Sequence, residues 1–457
     1  MNVDLAIIGA GPAGMAAAVE ARQAGLTVCL LDEHAAPGGQ IWRGIEHAGP
    51  GLREILGKDY AHGAAAVDAF RRSGAKYLPE TFVWNMTPDR RINYTRQSSA
   101  GELSAHAVIL ATGALERSVP LPGWTLPGVT TAGALQILLK TAGLAAKDAV
   151  IVGNGPLLWL VANQMIAGGV APQAVVQMEA PGAGRAAIRH LPGALGNPAL
   201  LANGVSMIRR LGRAGVPIYR NARNLRIAGA GQAREICFEH RRRVISLPAE
   251  TIALHNGVIP NQQMTRLLGC DHDWDDLQHA FRPTTDRWGE SSIEGVFVAG
   301  DGAGIAGARA AELTGRLAAR KAAQRLGRTP AGGEASIMEA LKRELRFRPF
   351  IDALYPALRE SGSPADETVV CRCEEVTAGA IRDAAAKGAQ GPNQAKAFLR
   401  CGMGPCQGRI CGPGVTRLIA EERGNSAADT GYYNIRPPLK PQRLGLVAQS
   451  PPAEAAE

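Results

Sequence analysis

Apolar residues along this chain fall into two repeated blocks in which a short apolar strand runs into a glycine-punctuated helix. Residues 3–8 are near-continuously apolar, as expected of a strand covered on both faces of a parallel sheet. A turn holding Gly9, Gly11 and Gly14 follows, then a helix rich in small residues (Ala16, Ala17, Ala18) that Gly25 ends. Residues 28–31 make the next strand. Residues 51–80 read as helix and loop with a strand near 76–78, and 81–86 and 91–95 alternate like a β-meander. Another buried strand spans 107–111. The block restarts at 149–152, with strands at 174–178, 216–218, 235–240 and 243–247, and loops plus a helix over 180–216. An apolar strand at 295–298 runs into an Ala-rich helix over 305–326. Residues 327–366 form a Pro- and Gly-punctuated connector with an amphipathic helix over 337–346. The alternation predicts an α/β fold.

The first turn carries the most specific chemistry. Gly9, Gly11 and Gly14 have the G-x-G-x-x-G spacing, with Pro12 and Ala13 opening the helix; such a turn lets backbone approach a pyrophosphate. Asp32, followed by Glu33, closes the second strand, where a carboxylate accepts from a ribose hydroxyl. The bland reading is a tight turn of any α/β protein. The register of strand, helix, second strand and acid favours dinucleotide binding. In residues 37–43, PGGQIWR, Gly38 and Gly39 permit close approach, and Gln40 can present its amide to a flavin ring edge. Val83 is an adenine contact or simply core. The second turn, Gly153-Asn154-Gly155, has Leu158 at the third glycine position, bulk that should hold the helix off the strand. That departure speaks against NAD(P) binding there, although Glu179 stands where a ribose acid would. His255 reads as structural.

Composition narrows the class without deciding it. The 457 residues suffice for two or three domains, and no run is apolar enough for a membrane span. With no leader before the first strand, the cytoplasm is the expected location. The net charge of +9 favours acidic ligands but does not call for nucleic acid; Arg241, Arg242 and Arg243 read as a solvated hairpin edge.

Eight cysteines are present, five of them between Cys371 and Cys411, a distribution that points to a metal site in a reducing compartment rather than a disulfide framework. Thirty-two residues separate Cys373 from Cys406, and four separate Cys406 from Cys411. The C-x-C to C-x4-C arrangement resembles small [2Fe-2S] modules of the bacterioferritin-associated-ferredoxin type. Cys371, Cys373, Cys406 and Cys411 are the candidate ligands, and Cys401 is the spare. No histidine follows His279, which excludes a Rieske centre and mixed Cys/His zinc fingers. Zinc held by cysteine alone stays open, as do free thiols. Arg372, Arg400 and Arg409 would offset a cluster's negative charge, or serve only solubility. The proline-rich residues 432–457 read as a disordered end or as an arm laid over a neighbouring chain.

Ala111-Thr112-Gly113 resembles the segment by which flavoproteins with two dinucleotide domains leave their flavin domain, and Gly295 to Asp301, GVFVAGD, resembles their closing motif. Gly300 and Asp301 would then face the ribityl chain or a phosphate. The redox cysteine pair of glutathione-reductase-type enzymes is missing after Gly39, and no C-x-x-C of the thioredoxin-reductase kind occurs in the inserted part. Together with C-x-C and GMGPCQGRxC, these motifs resemble the FAD/[2Fe-2S] α subunit of heteromeric amine dehydrogenases, which include opine oxidases, hydroxyproline and proline dehydrogenases and hydrogen cyanide synthase. The resemblance covers nearly the whole chain. It implies an FAD domain split between 1–117 and 255–327, an inserted NAD(P)-like domain over 118–254, a connector over 328–366, a small helical [2Fe-2S] module over 367–425 and a C-terminal arm over 426–457. It also implies a hetero-oligomer with a D-amino-acid-oxidase-like FAD β subunit, with or without a small third subunit. That partner would take the hydride from a C–N bond, and this chain would relay electrons. Two other readings remain: a stand-alone NAD(P)H-dependent FAD/[2Fe-2S] reductase, and a non-catalytic iron-sulfur scaffold.

Overall fold

The computed structural model describes residues 1–178, 180–357 and 363–449. Glu179 lies outside the described residues. Two seven-stranded sheets dominate.

In the first sheet, Asn2–Ile8 lies centrally, parallel to Val28–Leu31 on one side and to Ser99–Leu110 on the other. The long strand Ser99–Leu110 serves two further partners. Its first half pairs antiparallel with Arg91–Arg96, which in turn pairs with Thr81–Met86, and its last residues pair in parallel with Val296–Val298. The late strand brings Gly300 and Asp301 beside the amino-terminal glycine turn. The helices Pro12–Gln23 and Ala308–Arg325 pack against each other through small residues. A Cβ at Gly315 would sit 2.1 Å from the Ala13 carbonyl oxygen, so only glycine allows that approach.

The second sheet is built from Val150–Asn154, Ala174–Met178, Ile218–Ala228, Ile252–Asn256 and Val129–Thr131, extended by an antiparallel hairpin of Glu235–His240 and Arg243–Pro248. Ile218–Ala228 continues well beyond the short strand expected there. His255 and Asn256 belong to this sheet. The chain crosses between the sheets twice, and the crossings pair with each other as Ala114–Glu116 against Val258–Pro260.

Leu158 does not stand outside the second unit as an obstacle. It is fully buried with Ala149, Ile151 and Val175, so its bulk fills the core between helix and sheet. The connector also differs from expectation: its helix spans Glu334–Leu354 and runs on through Pro349. The last turn is held by Asp352, which takes a hydrogen bond from Arg348 one turn earlier in the same helix (2.5 Å) and another from Gln278 outside it (3.2 Å).

The cysteine module is not a separate bead. Val370, Cys371, Ile381, Val415, Tyr432, Tyr433 and Leu439 share one continuous core with Ala6, Ile8, Cys29 and Val108 of the first sheet. Ser118 Oγ donates to Ile410 O (2.9 Å) and Trp124 Nε1 to Val369 O (2.6 Å), fixing the module against the exit from the first sheet. The described part of the C-terminal arm, up to residue 449, is ordered rather than a loose end: it folds back onto its own chain and forms a short helix, Leu444–Val447. Residues 450–457 lie outside the described residues. No helix among the described residues is long and apolar enough to cross a membrane.

Candidate functional site

One cavity of about 880 Å³ runs between the two sheets. Gly9, Gly11, Pro12, Ala13, Asp32, Glu33, Gly39, Gln40, Val83, Thr112, Gly113, Gly300 and Asp301 all line it. Gly14 is absent from the lining because it faces inward: a Cβ there would lie 1.9 Å from the Gly9 carbonyl oxygen. At Gly11 the nearest protein atom to a Cβ, beyond its chain neighbours, would be 3.9 Å away, so the room in front of it is left for something else.

Three features give the cavity its electrostatics. Helix Pro12–Gln23 starts at Gly11 with no side chain capping its N–H groups, which leaves a positive end for a phosphate. Helix Ala308–Arg325 also starts uncapped, at Gly307. It begins later than the sequence suggests, because Asp301 Oδ1 accepts from the N–H groups of Ala306 (2.9 Å) and Gly307 (3.0 Å) and holds the intervening loop open. The positive end therefore sits at Gly307 and Ala308. Asp32 reaches back to the turn: Oδ2 accepts from Ala10 N (2.5 Å) and Oδ1 from His34 N (2.7 Å). Oδ1 also faces the His34 ring at Nδ1 (2.9 Å), so Oδ2 is the oxygen that keeps a lone pair for a ribose hydroxyl.

Lys140, buried behind the cavity wall, is a supporting residue that no motif announces. It is 4% exposed, donates to Gln40 O (3.0 Å) and Gln136 Oε1 (2.8 Å), and ties the inserted unit to the loop that carries Gly39. Burial pushes its pKa down from 10.5 to about 7, and the charge of Arg43 adds to the shift. Between those values the unfolded chain binds the extra proton, so stability rises with pH through that window; below pH 7 the residue's full cost is present. A Lys140→Met chain should gain most over wild type at and below about pH 7, with the gain fading as the pH approaches 10.5. Thermal unfolding across that pH range checks it.

The cysteine module gathers four sulfurs. Cys411 is hydrogen-bonded to both Cys371 and Cys406, and Cys373 to Cys406. Backbone N–H groups of Gly402, Glu374 and Cys373 point at Cys371, and those of Ile410 and Gly408 at Cys406. The hydrogen bonds from Cys411 lower the pKa of Cys371 to about 6 and of Cys406 to about 5, while Cys411 itself is raised. Cys401 stands aside, fully buried, and takes a hydrogen bond from Tyr433 Oη (3.4 Å). Among the described residues no three His, Cys, Asp or Glu side chains form a ready single-ion site. The pairwise sulfur contacts suit two irons taking two thiolates each. Of the three arginines, Arg372 and Arg400 are exposed, Arg400 pairing with Glu374 (3.1 Å). Arg409 donates to Cys406 O (3.0 Å) and also lines the cavity.

Comparison with known proteins gives a consistent answer. Residues 3–327 match the pyridine nucleotide-disulphide oxidoreductase family, and residues 369–421 match the BFD-like [2Fe-2S] binding domain. An opine oxidase subunit of Agrobacterium tumefaciens is 44% identical over 98% of this chain and 92% of its own length. This chain belongs to that opine oxidase subunit family. Hydrogen cyanide synthase subunit HcnB of Pseudomonas aeruginosa is 34% identical over 98% of this chain and all of its own. The L-proline dehydrogenase of P. horikoshii, 18% identical, has the same fold with a TM-score of 0.73, covering 98% of this chain and 79% of that one. As a family member this chain is a flavin and iron-sulfur oxidoreductase subunit, and its cofactors are FAD and a [2Fe-2S] cluster.

The residues present fit both groups. Besides the uncapped helix ends and the space before Gly11, Gln263 lines the cavity with its buried Oε1 unpartnered, an acceptor that a ligand N–H would complete. The second glycine turn is furnished differently. His255 Nε2 would lie 2.8 Å from a Cβ at Gly155, and Nδ1 of the same ring is 2.6 Å from Glu116 Oε1. The connector crosses this turn: Asn154 Nδ2 donates to Pro356 O (2.9 Å), and Trp159 Nε1 to Tyr355 Oη (2.9 Å).

Proposed function

We propose that this chain is the electron-transfer subunit of a heteromeric dehydrogenase that oxidises a C–N bond of an imino acid, opine or amino acid. Electrons pass through its cluster and its FAD to an acceptor. The partner is a D-amino-acid-oxidase-like flavoprotein, with or without a small third subunit. The observation that carries this reading is Arg409, which hydrogen-bonds the Cys406 carbonyl and walls the flavin cavity, so the two redox sites adjoin across one residue. The names of the relatives, subunits of an opine oxidase and of a hydrogen cyanide synthase, support the heteromer and the amine substrate class.

In this reading FAD lies along Gly9, Gly11, Pro12, Ala13, Gly39, Gln40, Thr112, Gly113 and Gly300, with Gly14 packing the helix behind it. Asp32 and Glu33 meet the ribose, Val83 the adenine, and Asp301 Oδ2 a hydroxyl of the linking chain. Cys371, Cys373, Cys406 and Cys411 hold the cluster. FAD exchanges electron pairs with organic donors and single electrons with metal centres, and a [2Fe-2S] cluster carries one at a time. The protein's own work is to hold both in a shared core, with N–H donors aimed at the sulfurs and Arg409 beside them, which raises the cluster's potential.

The connector lying over the second glycine turn supports a donor other than NAD(P)H. Anaerobic mixing of the purified chain with NADH or NADPH should leave the flavin bands unbleached; rapid bleaching would favour the stand-alone reductase. Co-expression with a flavoprotein partner, screened against D-hydroxyproline, L-proline, octopine, nopaline and glycine, should give activity that neither chain has alone. Full turnover by the isolated chain would overturn the proposal.

A further inference from the structure

The C-terminal arm touches both redox sites. At its start the Tyr433 hydroxyl donates to Cys401 Sγ (3.4 Å) and stands 3.8 Å from Cys411 Sγ. The ring is clasped by Gly402 and Gly408; a Cβ on either would come within 2.6 Å of it. The chain then runs to the far end of the cavity. Leu439 N donates to Trp84 O (2.8 Å), and Leu439 O accepts from Arg409. Lys440 pairs with the Glu33 carboxylate and lies 5.7 Å over the Phe82 ring. Thr95 Oγ1 donates to Gln442 Oε1 (2.7 Å) and fixes the next turn. Leu439 and Lys440 both line the cavity, at the end marked by Asp32, Glu33 and Val83.

We propose that Lys440 is an FAD-binding residue and that residues 439–440 are the lid over the adenosine end of the flavin site. The assignment rests on the reading that this cavity holds FAD. Its physical reason is charge. The pyrophosphate of FAD is anionic, and two carboxylates, Asp32 and Glu33, already stand where the ribose must lie. Arg43 is engaged by His34 and Gln40 and does not itself line the cavity. Lys440 is the cation that pairs with Glu33 at the mouth itself, so it offsets a repulsion between protein and ligand that the bare acids would create. Leu439, 4% exposed, closes the wall beside it with an apolar side chain.

The test uses the full chain stripped of FAD and titrated with FAD by quenching of flavin fluorescence, with ADP as competitor and iron measured alongside. Lys440→Ala should raise the dissociation constants of both FAD and ADP by about tenfold or more, with iron content unchanged, and Lys440→Arg should restore most of the affinity. A partly exposed lysine leaves the fold intact when removed, so the comparison is between folded proteins. Lys440→Ala binding FAD as wild type does, or losing FAD but not ADP, overturns the proposal. A Gly11→Val control separates the two levels: if that chain also keeps its FAD affinity, the cavity assignment itself fails.

Discussion

Cys406→Ala should strip the chain of iron and of partner-coupled turnover, while Cys401→Ala keeps both. The structure makes these two cysteines opposites. Cys406 is hydrogen-bonded to Cys373 and Cys411 and receives N–H groups of Gly408 and Ile410, whereas Cys401 is packed behind the sulfur group against Tyr433. A two-iron cluster needs four thiolates, and three cannot complete it. Iron and sulfide per chain should fall to background in Cys406→Ala, the cluster's visible bands should vanish with the flavin bands remaining, and turnover with the partner should drop by roughly two orders of magnitude or more, the scale of losing an essential redox group. If the losses fell on Cys401→Ala and spared Cys411→Ala instead, the ligand set would have to exchange those two residues.

Two neighbouring glycines should respond in opposite ways. Gly14→Val forces a Cβ to within 1.9 Å of the Gly9 carbonyl, and the strand and helix must separate; overpacking of that kind costs about 1–3 kcal/mol and often more, so the flavin-free chain should unfold at markedly lower temperature. The Cβ of Gly11→Val meets no protein atom beyond its chain neighbours closer than 3.9 Å, and Gly11 has a φ of −78°, which any residue adopts. The flavin-free Gly11→Val chain should therefore unfold as wild type does, yet bind no FAD, because the new side chain occupies the space before the helix end. Flavin content and the melting of the flavin-free proteins, measured side by side, distinguish the outcomes. Equal destabilisation by both would mean that the turn is merely tight.

The parts of this architecture that are legible in the sequence are those whose cause is local. The glycine turn announces itself because backbone meets backbone within a few residues, and the cysteine spacing is recognisable because ligands must come from short loops. Val83, ambiguous between adenine contact and core, lines the cavity at the end that holds Asp32 and Glu33. What stays hidden depends on chain segments far apart. Lys440 meets Glu33 across 407 positions, and Asn154 meets Pro356 across 202; no periodicity records either. Lys140 sits in an ordinary amphipathic helix, and only the fold turns it inward onto Gln40. Proline usually breaks a helix, so the sequence ends the connector helix before Pro349, whereas Arg348, Asp352 and Gln278 hold the final turn together. Leu158 reads as an obstacle because the third glycine is normally required for close packing. The second unit uses a different core, with leucine filling it.

If FAD and cluster exchange electrons within this one chain, across the boundary that Arg409 marks, then flash photoreduction of the flavin in the purified, fully loaded protein will show it. The flavin and cluster bands would be followed separately in time. The flavin band should recover as the cluster band bleaches, at matching rates and without dependence on protein concentration. A flavin that stays reduced beside an oxidised cluster, or a transfer rate proportional to protein concentration, would contradict intramolecular transfer.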